Sequence, residues 1–199
     1  IFHFASPASV KSFQKFPFET MQTNSIGLQN ALNFAKRNNS RVIFASTSEI
    51  YGASSHFPQK ETDWGYVNSF GARSCYNESK RFGEALIFHT NQLENTQHGL
   101  VRIFNTYGTR MHINDDRVLN TFVKKALKNE DIVIFGDGNQ TRSFCYIEDL
   151  IRGIDLYAKS HITHPLNLGN SEEISILSLA QLIIKRTGSQ SRIVFNSLP

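Results

Sequence analysis

The chain of 199 residues is 40% apolar and 19% charged, the composition of an ordinary globular protein able to bury one sizeable core. Its net charge of +4 suits anionic nucleotide ligands but is too weak and dispersed for a nucleic-acid surface, and no apolar run approaches the roughly 20 residues of a membrane span. Two cysteines, Cys75 and Cys145, exclude a disulfide framework, and seven histidines without a ligand pattern argue against a metal site, so a soluble, cytoplasmic protein is expected.

Ile1-Phe2-His3-Phe4-Ala5, followed by Ser6-Pro7-Ala8, reads as a strand that runs into a loop at the carboxyl edge of a sheet. Residues 19–37 place Met21, Ile26, Leu28, Ala31, Leu32, Phe34 and Ala35 in a helical pattern that ends at the basic, turn-forming Arg37-Asn38-Asn39. A strand over 41–45 follows at once, and this strand, helix, strand order is a parallel, right-handed crossover. The second strand ends in Ser46-Thr47-Ser48-Glu49-Ile50-Tyr51-Gly52, which puts hydroxyls and a carboxylate where open α/β sheets bind ligands.

Residues 54–73 carry Gly, Pro, Asn and aromatics without a period, which predicts a long loop over the site, with Trp64 packed on the core as its anchor. The helix over 76–94 sets Tyr76 and Lys80 four apart, on one face. A free phenol has a pKa of about 10, and a neighbouring ammonium favours the phenolate, so the pair can act as a base while the Thr47 hydroxyl orients the same substrate oxygen. Such a pair alone is better read as a half-buried tyrosine beside a snorkelling lysine; the Thr-Ser-Glu strand end shifts the balance.

Residues 98–104 resume the sheet, and Asn105-Thr106-Tyr107-Gly108 again puts polar groups and a glycine at a carboxyl end. A charged loop over 110–117 leads to a helix over 118–129, a short strand over 132–135 and a turn at Gly136-Asp137-Gly138. Arg142 follows, a fork of donors that matches a pyrophosphate. A helix over 148–157, strands over 165–169 and 192–195, and an amphipathic helix over 175–186 complete the pattern. The glycine-rich dinucleotide fingerprint, with its acidic residue about 20 positions on, is absent from this sequence.

Taken together, Ser46 to Gly52, Arg73-Ser-Cys-Tyr-Asn-Glu-Ser-Lys-Arg81, Arg102-Ile-Phe-Asn-Thr-Tyr-Gly-Thr-Arg-Met111 and Gly138-Asn-Gln-Thr-Arg-Ser-Phe144 resemble consecutive signatures of the extended short-chain dehydrogenase/reductases. Within that superfamily they are most similar to the UDP-glucuronic acid decarboxylases, and the likeness runs over nearly the whole chain. It implies an α/β fold: an incomplete Rossmann-type doubly wound parallel sheet, without its amino-terminal Gly-rich strand and helix, joined to part of a small α/β substrate domain. The expected division is a Rossmann part over 1–108 and a nucleotide-sugar region over 109–199, interleaved with it and truncated at its end.

The resemblance also implies NAD as cofactor and UDP-glucuronate as substrate. It makes Thr47, Ser48, Glu49, Tyr76 and Lys80 catalytic, and places Phe4, Ser6, Thr23, Ala45, Tyr76, Lys80, Thr106, His112 and Arg117 at the cofactor. Asn105 and Arg142 would hold the sugar nucleotide, and helices 19–38 and 76–94 would pair two copies in a homodimer. Ser48-Glu49 distinguishes the decarboxylases from dehydratases, which typically carry Asp-Glu there, and from epimerases, which usually lack the carboxylate. Departures from the family pattern are Thr109 for proline, Asn77 and Ser79 for Asp and Gly, and Gln22 for lysine. The chain is expected to be an interior piece of a longer protein, unable by itself to hold NAD well or to turn over substrate. A Golgi-lumenal, membrane-anchored parent, a related dehydratase or epimerase, and an inactive homologue kept as a dimerisation module remain alternatives.

Overall fold

A computed structural model describes residues 1–54, 56–112 and 114–197. Ser55 of the long loop, Ile113 of the charged loop, Leu198 and Pro199 lie outside the described residues. In chain order come β1 (Phe2–His3), α1 (Val10–Lys15), α2 (Pro17–Gln22), a π-helical turn (Thr23–Gly27), α3 (Leu28–Arg37), β2 (Ile43–Thr47), a 3-10 turn (Ser48–Tyr51), α4 (Ser74–Glu94) and β3 (Gly99–Ile103). They continue with β4 (Thr106–Tyr107), α5 (Val118–Leu127), β5 (Ile132–Phe135), β6 (Thr141–Ser143), β7 (Cys145–Tyr146), α6 (Ile147–Lys159), β8 (Leu166–Leu168), β9 (Glu173–Ser175), α7 (Ile176–Thr187) and β10 (Ile193–Asn196).

The chain divides into two compact units, 1–104 with 151–168, and 105–150 with 169–197 among the described residues. The first holds a wholly parallel sheet in the order β1-β2-β3-β8, with Phe44 opposite Leu100 and Ile43 opposite both Phe2 and Gly99. On one face Phe44 and Leu100 pack with Leu28, Leu32 and Ala35 of α3 and Ile87 of α4. On the other face Gly99 lies against the ring of Tyr157 on α6. Helices on both faces of a parallel sheet are the doubly wound, Rossmann-like arrangement.

Two close approaches set this packing. A Cβ on Gly83 would stand 2.6 Å from Cζ of Phe44, so the glycine lets α4 sit directly on β2. Arg41, at the mouth of β2, donates to the carbonyls of Tyr157 at 3.2 Å and Ala158 at 3.1 Å, and also to those of Ser160 and Ile162. These carbonyls lie at and just beyond the carboxyl end of α6, where a cation is favoured.

The second unit packs Phe122 and Ala126 of α5 with Ile132 and Ile134 of β5 and Ile176, Leu179, Ala180 and Ile183 of α7. Its strands form three small sheets: β5 with β10 and β4 with β7, both parallel, and β6 with β9, antiparallel. Ser175 caps α7 by accepting from the Ser178 N–H at 3.0 Å, and Gly188 ends it with φ of 66°.

The helix predicted over 19–37 begins earlier, at Pro17, and is broken by the π turn; α1 before it has no counterpart among the predicted elements. Among the described residues the loop over 54–73 has no helix or strand, and a parallel bridge joins Gly52, just before it, to Tyr66 within it. Gly52, at φ 59°, permits that bridge: a Cβ there would lie 1.9 Å from the Tyr66 carbonyl oxygen.

Trp64 does not anchor the loop through its ring, which is 91% exposed. The loop is held through its backbone instead. Arg81 donates to the Trp64 carbonyl at 3.0 Å, and Gly65 takes the inward place against Ile50 and Tyr51.

Candidate active site

β2 delivers Thr47 at its carboxyl end, and the chain then tightens at once into the 3-10 turn that carries Ser48 and Glu49. The buried Thr47 hydroxyl caps that turn, accepting from the Glu49 N–H at 3.2 Å. The Glu49 carboxylate is paired with Arg73, Nη2 to Oε1, at 2.9 Å, and both side chains are about two-fifths exposed.

α4 sets Tyr76 and Lys80 on its inward face, together with Gly83 and Ile87. Lys80 is 2% exposed, and its Nζ donates to the Ala45 carbonyl of β2 at 2.6 Å. The same nitrogen stands 4.7 Å from the centre of the Phe44 ring and 5.8 Å from that of Tyr76. Burial pushes the ammonium down to a pKa of about 7. Tyr76 is buried and stacks on Phe13 of α1, with ring centroids 5.1 Å apart and planes 12° apart.

The other predicted contacts of the first unit line up on neighbouring elements. His3 of β1 is buried; Phe4, just after it, is exposed and meets Phe2 edge-on; and Ser6 donates to the Pro7 carbonyl in the following loop. Thr23 opens the π turn, the rare helical form often found at functional sites.

Asn105, Thr106, His112, Arg117 and Arg142 belong to the second unit. The Asn105 carbonyl accepts from the Cys145 N–H at 2.8 Å, which starts the β4–β7 pairing that includes Thr106. His112 accepts from the Asn114 N–H through Nδ1 at 3.1 Å. Arg117 pairs with Asp115 at 3.3 Å. Arg142, on β6, donates to the Thr141 carbonyl at 2.7 Å.

Two features of the site were not foreseen. Phe13 and Arg73 form the first: the Arg73 guanidinium lies 5.6 Å from the centre of the Phe13 ring that supports Tyr76. The second is a buried network one turn beyond Lys80, at Glu84. Glu84 accepts two bonds from Arg102, at 3.1 and 2.8 Å, and one from the Ser46 hydroxyl. Arg102 also donates to the Tyr51 hydroxyl at 2.7 Å, which in turn donates to Asn167 at 2.7 Å. Burial alone would depress the guanidinium, but the Glu84 carboxylate outweighs it and holds Arg102 above its ordinary value. The network ties α4, β2, β3 and β8 together beneath the strand end. The signal available for it was a carboxylate four residues after Lys80 on the same helical face.

A family model described as the NAD dependent epimerase/dehydratase family matches residues 1–169. The chain belongs to that family. It is 45% identical over 195 residues to the UDP-glucuronic acid decarboxylase 1 of Danio rerio, covering 98% of this chain and 47% of that one. It is 42% identical to the UDP-glucuronic acid decarboxylase 4 of Arabidopsis thaliana, covering 98% of this chain and 44% of that one. The chain thus spans about half the length of the curated relatives it matches. Among solved structures, the UDP-glucose 4-epimerase of Thermotoga maritima with UDP-glucose superposes with a TM-score of 0.90 at 26% identity, covering 100% of this chain and 64% of that one.

The family is NAD dependent. An ammonium has three donors, and among the described residues Lys80 engages one of them, on Ala45, from an almost fully buried position. Such a group matches the vicinal hydroxyls of a ribose. The glycine turn that would hold the pyrophosphate is not part of this sequence. No helix among the described residues is long and apolar enough to cross a membrane, and among them no group of three or more His, Cys, Asp or Glu could hold a metal ion.

Proposed function

We propose that the complete protein is an NAD-dependent UDP-glucuronate decarboxylase that forms UDP-xylose through a 4-keto sugar. The observation that carries this reading is the juxtaposition of Thr47, Ser48 and Glu49 at the end of β2 with the buried Lys80 and Tyr76 of α4. The identity to decarboxylases of animals and plants supports it. Ala45, Tyr76 and Lys80 would hold the nicotinamide half of NAD, which when bound supplies reversible hydride acceptance.

The chain's own groups then divide the remaining work. Tyr76 takes the proton of the sugar's 4-hydroxyl, Thr47 orients that oxygen, and Lys80 stabilises the phenolate. A ketone at carbon 4 stands β to the carboxylate, the arrangement in which carbon dioxide leaves with its electrons drawn into the carbonyl. Glu49 serves as the acid–base group at the neighbouring carbon. Arg142 of the second unit holds the diphosphate by its fork.

The homodimer belongs to the same reading. Phe18, Ile26 and Phe34 on the α2–α3 stretch, and Phe82, Phe88 and Leu93 on α4, are all exposed. Large apolar side chains exposed on these helices support that reading.

The test is to give the full-length protein UDP-glucuronate and follow the mixture by NMR. Carbon dioxide and UDP-xylose are expected. The rival reading, a nucleotide-sugar epimerase, draws on the Thermotoga maritima likeness. Inversion at carbon 4 of UDP-glucose, with UDP-glucuronate untouched, would establish it instead.

A further inference from the structure

We propose that Arg73 is a positioning residue: it fixes the Glu49 carboxylate relative to the Tyr76 phenol through the Phe13 ring that both contact. The inference rests on the roles given above to Glu49 and Tyr76, and adds what sets them against each other.

The geometry is a chain of contacts. Arg73 precedes α4 as its N-cap residue and stands three positions before Tyr76, so both side chains leave the same side of the helix start. Phe13 is 1% exposed and lies flat on Tyr76, and Arg73 covers the same ring. The guanidinium then reaches across to Glu49 at 2.9 Å, and the Glu49 backbone returns to the Thr47 hydroxyl at 3.2 Å. Cys75 adds a bond from its Sγ to the Phe13 carbonyl at 3.5 Å, which ties α1 to the start of α4.

An ion pair as exposed as this one contributes little to stability. Its place is therefore better explained by what it orients. A guanidinium can stack on a ring and grip a carboxylate in the same plane, whereas an ammonium can only supply charge. Arg73 stands 5.6 Å from the centre of the Phe13 ring and 2.9 Å from the Glu49 carboxylate.

The experiment uses the full-length protein and five variants: Arg73→Gln, Arg73→Lys, Phe13→Leu, Glu49→Gln and the double variant Glu49→Gln/Arg73→Gln. Steady-state constants are measured on whichever of UDP-glucuronate and UDP-glucose the wild type converts, so failure of the substrate assignment leaves this test standing. Arg73→Gln is expected to lower kcat by about tenfold or more while KM stays within about threefold. Arg73→Lys should recover only part of the loss, and Phe13→Leu should resemble Arg73→Gln. The double variant should be no slower than Glu49→Gln alone. Wild-type kcat should fall with added salt, and that of Arg73→Gln should not. Wild-type kcat in Arg73→Gln, full rescue by lysine, or a large rise in KM at unchanged kcat would overturn the proposal, the last by making Arg73 a direct substrate contact.

Discussion

At the scale of single residues, the site concentrates its cost on Lys80. The folded chain buries its ammonium, with one hydrogen bond among the described residues, and desolvation brings its pKa to about 7. Burying a charge in this way is costly, as is common where function requires it. Lys80→Met keeps the length of the side chain and removes the charge. It should raise the thermal midpoint of the ligand-free protein near neutral pH by ~2–6 °C while abolishing turnover of the full-length enzyme. A lowered midpoint in calorimetry would mean that the bond to Ala45 outweighs desolvation. Tyr76→Phe acts on chemistry alone: kcat should fall by about 10²–10⁴-fold with UDP-sugar affinity little changed. Near-normal turnover in that variant would remove Tyr76 from the proton transfer.

At the scale of elements, what could be read from sequence was what lies close together in the chain. Tyr76 and Lys80 share one helix, and Thr47 ends an apolar run, so local spacing located all three. Phe13 and Arg73 could not be found this way, because their contact joins a six-residue helix to a helix start far along the chain. The two-residue strands β4 and β7 are too short to show a period, and they exist through tertiary pairing. Trp64 was misplaced because a large aromatic side chain predicts burial, whereas here two glycines and an arginine hold the loop by its backbone. Gly83 gives the matching test of helix packing. On propensity alone, alanine in mid-helix would stabilise by ~1 kcal/mol. At this position its Cβ would meet Phe44 at 2.6 and 2.7 Å, and that ring carries Lys80. Overpacking of this kind costs ~1–3 kcal/mol, so Gly83→Ala should lower the urea midpoint. A higher midpoint would show that Phe44 has room to yield.

At the scale of the whole molecule, each unit has its own core, and the buried titratable groups with the largest consequences sit in the first. His3 and His98 are both buried, and desolvation lowers both from 6.5. His98 accepts the Val42 N–H at Nδ1, a bond that protonation of that nitrogen would break. Above 6.5 each histidine is neutral in both states and adds no pH dependence. As pH falls below 6.5 the unfolded chain takes up protons that the folded one refuses, so stability drops. Lys80 works in a separate window. Between about 7 folded and 10.5 unfolded, the unfolded chain keeps a proton that the folded chain has lost, so stability climbs as pH rises. The ligand-free protein should therefore gain stability towards alkaline pH in two stages, one ending near 6.5 and one beginning near 7. His98→Gln should reduce the lower stage, and Lys80→Met should remove the upper. Urea midpoints measured across the range decide the matter. A lower stage that survives with both His3 and His98 replaced by glutamine, or an upper stage that persists without Lys80, would assign the dependence to other groups.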